Sequence, residues 1–127
     1  MLLTIESQSE TPIYQQICNQ LIVGIATGEL ENGELLPSVR QMADEIGVNM
    51  MTVSKAYSLL KNEGYILTDR RNGTRVAEKQ EKNIIFEQRF SETLELLLAE
   101  AHIHQFSEQA VQEEVKLIYQ KFKQQRT

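Results

Sequence analysis

Residues 38–64 read SVRQMADEIGVNMMTVSKAYSLLKNEG, and the fold turns on this stretch. Ser38 with Gln41 three residues later makes a capping box, in which each residue's side chain satisfies the other's free N–H at a helix start. Val39, Met42, Ala43 and Ile46 follow at helical spacing, and Gly47 ends the helix after about two and a half turns. Asn49 is then a good N-cap, with Val48 and Val53 at the two staple positions around it. Val53, Ala56, Tyr57 and Leu60 form the apolar face of the next helix, which Gly64 closes. Two short helices joined by Gly47-Val48-Asn49 predict a helix-turn-helix. The second helix leaves Met50, Met51, Thr52, Ser54, Lys55 and Ser58 off its buried stripe.

Upstream, Thr11 as N-cap and Pro12 at the first helical position open a helix running to Gly28. Its stripe is Ile13, Ile17, Leu21 and Ile25, with Tyr14 and Cys18 beside it as packing residues. Pro37 disfavours helix at Leu36, so residues 33–37 read as a connector. Downstream, residues 65–68 and 74–77 have strand composition. The intervening Asp69-Arg70-Arg71-Asn72-Gly73 contains Asn-Gly, the strongest short hairpin signal. A hairpin directly after a helix-turn-helix is a wing, and this one carries two arginines at its tip.

Residues 78–83 are polar and read as a linker. A helix over 84–105 follows, with Phe86, Phe90, Leu94, Leu97 and Ala101 on one stripe. Ser107 caps a last helix carrying Val111, Val115, Ile118 and Phe122. The short turn between them predicts an antiparallel hairpin. Such a pair cannot bury both stripes alone, so a second copy of the chain is expected to cover them. The fold class is therefore mainly α with a small β-hairpin. The expected domains are a winged helix-turn-helix DNA-binding domain over 1–78 and a helical dimerisation region over 79–127.

Composition bounds the function. The chain has 127 residues, net charge −5, 41% hydrophobic residues and one cysteine. No apolar run approaches the roughly 20 residues of a membrane span, so no membrane partner is expected. Residues 1–10 lack the charged start and apolar core of a secretory signal, and Cys18 alone cannot form an internal disulfide, which fits a reducing cytoplasm. Net acidity argues against a nucleic-acid binder, but its distribution reverses that. Residues 10–34 hold four acids and no Lys or Arg, whereas residues 52–75 hold five bases (Lys55, Lys61, Arg70, Arg71, Arg75) against Glu63 and Asp69. A local basic patch can meet phosphates while the remainder stays acidic. His102 and His104 are two apart on a helix and point nearly opposite ways, a poor geometry for joint metal ligation. No Ser/His/Asp set, phosphate loop or Cys pair supports catalysis, so neither an enzyme, a metal nor a cofactor is expected.

Several linked motifs resemble the GntR family of bacterial transcription regulators. They are Pro12 to Ile17, Gly28-Glu29-Leu30, Leu36-Pro37-Ser38-Val39-Arg40, Thr52 to Tyr57, Leu60 through Glu63 to Ile66, and Gly73-Thr74. The short two-helix tail is similar to the YtrA subfamily. The resemblance covers residues 10–77 and implies a dimeric, operator-binding regulator, usually a repressor. It implies that Arg40 contacts DNA beside the recognition helix and that Asn49 to Thr52 face the major groove. The wing tip would approach the minor groove or its phosphates. Two positions depart from the family pattern. Met50 stands where an Arg is common, and a Met cannot make a bidentate guanine contact. Arg71 replaces the first Gly of the wing's Gly-x-Gly-Thr, adding charge there.

The candidate DNA-facing set is Ser38, Arg40, Asn49, Met50, Thr52, Lys55, Arg70, Arg71, Asn72 and Gly73. The candidate dimerisation set is Phe86, Phe90, Leu94, Leu97, Val111, Val115, Ile118 and Phe122. The expected partners are a double-stranded DNA operator of inverted-repeat form and a second copy of the chain. A small-molecule inducer stays open, and with so short a tail its pocket would be small or lie at the dimer interface. The alternative is a winged helix that binds proteins without DNA.

Overall fold

The computed structural model describes residues 3–78 and 83–124, so most of the polar stretch expected as a linker lies outside the described residues. The chain order is α1 (Ile13–Thr27), α2 (Val39–Ile46), α3 (Met50–Asn62), β1 (Ile66–Asp69), β2 (Gly73–Val76), α4 (Ile84–Ile103) and α5 (Glu108–Gln124). Mainly helical with one hairpin, the fold class agrees with the sequence reading. Two compact units divide the described residues, one over 3–78 and one over 83–124.

In the first unit, α1 packs against α3, α2 against α3, and α3 against β1. The stripes expected from spacing are the ones that go inside. Ile17, Leu21, Val53, Leu60, Ile66 and Val76 are the largest fully buried side chains, and Ile13, Ile25, Val39, Ile46 and Val48 pack against them at the margin. Cys18 belongs to this core, its thiol 3.5 Å from the Ala56 carbonyl. Burial, then the charge of Glu63, pushes its pKa up, which makes it an inert packing group.

The start of α1 differs from expectation. Pro12, not Thr11, is the N-cap, and no side chain caps the helix. Pro12 lacks an N–H and sits with ψ of 149°, so it closes the first turn through its carbonyl, which accepts from Gln16 N at 3.0 Å. The preceding chain is held by two glutamines one helical turn apart. The Gln16 amide both accepts from Glu6 N (2.9 Å) and donates to Glu6 O (2.9 Å), and Gln20 does the same with Thr4 (3.0 and 2.7 Å). Residues two apart on extended chain and four apart on a helix have nearly equal spacing, about 6–7 Å, so the helix side chains imitate a neighbouring strand.

The capping box of α2 forms as expected, and Gly47 ends that helix with φ of 71°, a left-handed conformation open to glycine. The hairpin is antiparallel with Ile66 opposite Val76 and Asp69 opposite Gly73. Its strands therefore lie one residue off the expected ranges, toward the tip. Asn72-Gly73 is not the pair at the centre of a two-residue turn. The loop is Arg70-Arg71-Asn72, and Gly73 takes φ of 73° at its exit, in the left-handed region open to glycine. The connector also contributes more than a link. Leu36 N donates to Thr74 O (2.8 Å) and Val76 N to Glu34 O (2.9 Å), so residues 34–36 form a third edge beside β2.

The second unit is unlike a folded core. Asn83 caps α4 by accepting from Ile85 N and Phe86 N, and Ser107 caps the start of α5 by accepting from Ala110 N. Helix α4 ends at Ile103 rather than at Gln105. Gln105 has φ of 68°, and the N–H groups of Gln105 and Phe106 return to the carbonyls of His102 and Ala101. This closing motif normally uses glycine, and a side chain in that conformation costs about 1–2 kcal/mol. No described residue of either helix is fully buried. The two helices make little contact with one another, so neither covers the other's apolar stripe within one chain.

Candidate nucleic-acid interface

Two capped helix starts organise the surface. The Ser38 hydroxyl accepts from Gln41 N (3.1 Å) while Gln41 Oε1 accepts from Ser38 N (2.9 Å), and Arg40 stands exposed on that first turn. Asn49 Oδ1 accepts from Thr52 N at 3.1 Å and starts α3. The two starts are tied by Tyr57. From within α3, its hydroxyl donates to the Pro37 carbonyl at 2.7 Å. Burial, and after it the charge of Glu45, pushes the Tyr57 phenol up to about 12, so the group is a fixed donor. Through it the residue before Ser38 is held to the middle of α3.

Helix α3 buries Val53, Ala56, Tyr57 and Leu60 and turns the rest to solvent. Helical geometry puts Met51, Lys55 and Ser58 opposite the buried stripe, with Met50 and Thr52 on its flanks. Exposure agrees: Met51 is 80% exposed and Met50 47%. Met51, Ser54 and Ser58 were absent from the candidate set, although the stripe of Val53, Ala56 and Leu60 already implied them. Lys55 does not stand free. Its ammonium lies 4.0 Å from the centroid of the Tyr14 ring on α1, an attraction of about 0.5–1 kcal/mol at an exposed site.

The wing tip is built on Asp69. Its carboxylate accepts from Arg71 N (2.8 Å), Asn72 N (2.6 Å) and Asn72 Nδ2 (3.1 Å). The bonds from Asn72 above all hold the Asp69 carboxyl below the usual carboxylate range. The loop backbone is thereby fixed while the side chains of Arg70 and Arg71 stay exposed, making no bond to another described residue. Arg75 is used differently: its guanidinium donates to the Gly33 carbonyl at 3.1 Å and ties the connector to β2.

The candidate DNA-facing residues thus divide by role. Ser38, Asn49 and Asn72 spend polar atoms on caps and turns, and Gly73 supplies backbone conformation. Arg40, Arg70 and Arg71 present cations that engage no partner among the described residues, and Met50 presents apolar surface. Among the described residues no cluster of His, Cys, Asp and Glu could hold a metal ion. No described helix is long and apolar enough to cross a membrane.

Comparison with known proteins agrees with this geometry. The signature of the gntR family of bacterial regulatory proteins matches residues 13–76. The chain is 38% identical over 103 residues to the HTH-type transcriptional repressor YtrA of Bacillus subtilis (strain 168), covering 80% of this chain and 79% of that protein. YtrA from Sulfolobus acidocaldarius, described as a GntR-family transcription factor, is similar with a TM-score of 0.67 and 37% identity, over 78% of this chain and 99% of that one. A Listeria monocytogenes EGD-e protein described as a transcriptional antiterminator is similar over 96% of this chain and 92% of its own, with a TM-score of 0.88 and 27% identity. The chain belongs to the GntR family of bacterial regulatory proteins and is a winged helix-turn-helix transcriptional regulator.

Proposed function

We propose that the protein is an operator-binding repressor that acts as a homodimer. The observation that carries this reading is the division of α3, with four residues in the core and Met51, Ser54, Lys55 and Ser58 turned out, together with Arg40 exposed on the first turn of α2. Such a helix enters a major groove with its first residues against base edges. Arg40, Arg70 and Arg71 are the cations for phosphate or minor-groove contact. The exposed stripes of α4 and α5, including Phe86, Phe90, Leu94, Leu97, Val115 and Ile118, support a second copy as their cover, with Val111 and Phe122 at the margin. Residues 1–78 would bind DNA and residues 79–127 would hold the dimer. A two-fold axis requires an inverted-repeat operator with half-sites about one helical turn, or a multiple of it, apart.

The test is selection of binding sites from random duplex DNA, followed by fluorescence anisotropy on the selected sequence. An inverted repeat bound at least about a thousandfold more tightly than unrelated duplex supports the reading. Equal affinity for all sequences, or no DNA binding, overturns it.

A further inference from the structure

We infer that the winged unit carries a binding site for a small lipophilic cation, in a cavity between α1, the connector and α2. The cavity has a volume of about 370 Å³, at the small end of the roughly 300–1,000 Å³ typical of ligand pockets. Leu21, Leu30, Leu36 and Met42, all buried in the unit's core, contribute apolar surface to its wall. Among the described residues that line it, the charged groups are the carboxylates of Glu34 and Glu45, with no Lys, Arg or His. Glu34 uses one carboxylate oxygen to accept from Glu31 N at 2.9 Å and keeps the other. The surrounding sequence has the same sign, since residues 10–34 hold four acids and no Lys or Arg.

A wall of mixed apolar and polar surface, with two carboxylates and no base among the described lining residues, selects on two properties at once. A purely hydrophobic ligand gains only burial, and an anion is repelled. A cation with an apolar body gains both burial and attraction. The occupant is therefore a small organic cation with an alkyl or aryl body. It would rest against Leu36 and Pro37, whose backbone leads into Ser38 and Arg40 and is held by β2 and by Tyr57.

The site is tested on the full chain without DNA, so its failure is separate from failure of the operator reading. Decyltrimethylammonium, decanol and decanoate are titrated below their aggregation concentrations, with side-chain methyl resonances as the readout. The expected result is saturable shifts at Met42 and Ile46 with the cation, about tenfold tighter than decanol, and none with decanoate. Glu34→Gln combined with Glu45→Gln should remove that advantage while decanol binding persists. Three results overturn the site. They are shifts confined to Leu94 and Ile118 on the exposed helices, equal binding of decanoate, or cation affinity unchanged in the double variant.

Discussion

Replacing Tyr57 by Phe removes one oxygen and tests the joint between the two helix starts. At neutral pH the loss is that of a half-buried hydrogen bond to the Pro37 carbonyl, about 0.5–1.5 kcal/mol. The pH dependence is more diagnostic. The phenol is raised from 10.0 to about 12 in the folded state. Its neutral form is favoured by folding, so its stabilisation is complete below the unfolded value and is lost as pH rises toward the folded value. At about pH 11 the unfolded tyrosine is largely ionised and the folded one is not, a loss of roughly 1.4 kcal/mol that the phenylalanine protein does not share. Wild type should therefore lead by about 1 kcal/mol near pH 8, and the two should meet or cross near pH 11. Urea unfolding of both proteins across that range measures this, and lysine titration, common to both, cancels in the difference. Parallel stability curves would refute the claim that this hydroxyl is a buried, fixed donor.

Further outcomes follow from the same geometry. Leu94→Asp with Ile118→Asp places charge on both exposed stripes; sedimentation should show a monomer whose winged unit still unfolds cooperatively, and a persistent dimer would move the interface elsewhere. Arg71→Ala should weaken binding on all DNA sequences and reduce the slope of log K against log salt by about one, whereas an unchanged slope removes the wing tip from the interface. Met50→Arg and Met51→Arg, put separately through site selection, should each introduce a preference for guanine at one position per half-site, by about 1–3 kcal/mol where the contact is bidentate. An unchanged consensus for both would take the start of α3 out of the groove.

Local signals were legible because local chemistry sets them. The Ser38–Gln41 box, the Asn49 cap, Gly47 and the stripes of α1, α2 and α3 all appear where their spacing put them. Misses came where two local options compete or where a distant group decides. Thr11 and Pro12 could each head α1, and the proline took the position. Asn72-Gly73 offered a two-residue turn, but Asp69 had a carboxylate free to collect the N–H groups of a longer loop. Gln105 closed α4 without the glycine that normally marks such an end.

The order of elements, the core faces and the family could be read from the chain alone, since each depends on residues within a few positions of one another or on motifs in fixed order. What the polar side chains spend themselves on was set by contacts between distant segments. Lys55 meets the Tyr14 ring from 41 positions away, Tyr57 reaches back to Pro37, and Arg75 reaches back 42 positions to Gly33. Tertiary structure likewise turned two apolar stripes into an uncovered surface, because α4 and α5 have little contact with one another. A cation's partner or a stripe's cover is set by which surfaces meet in space, and spacing along one chain carries no record of that.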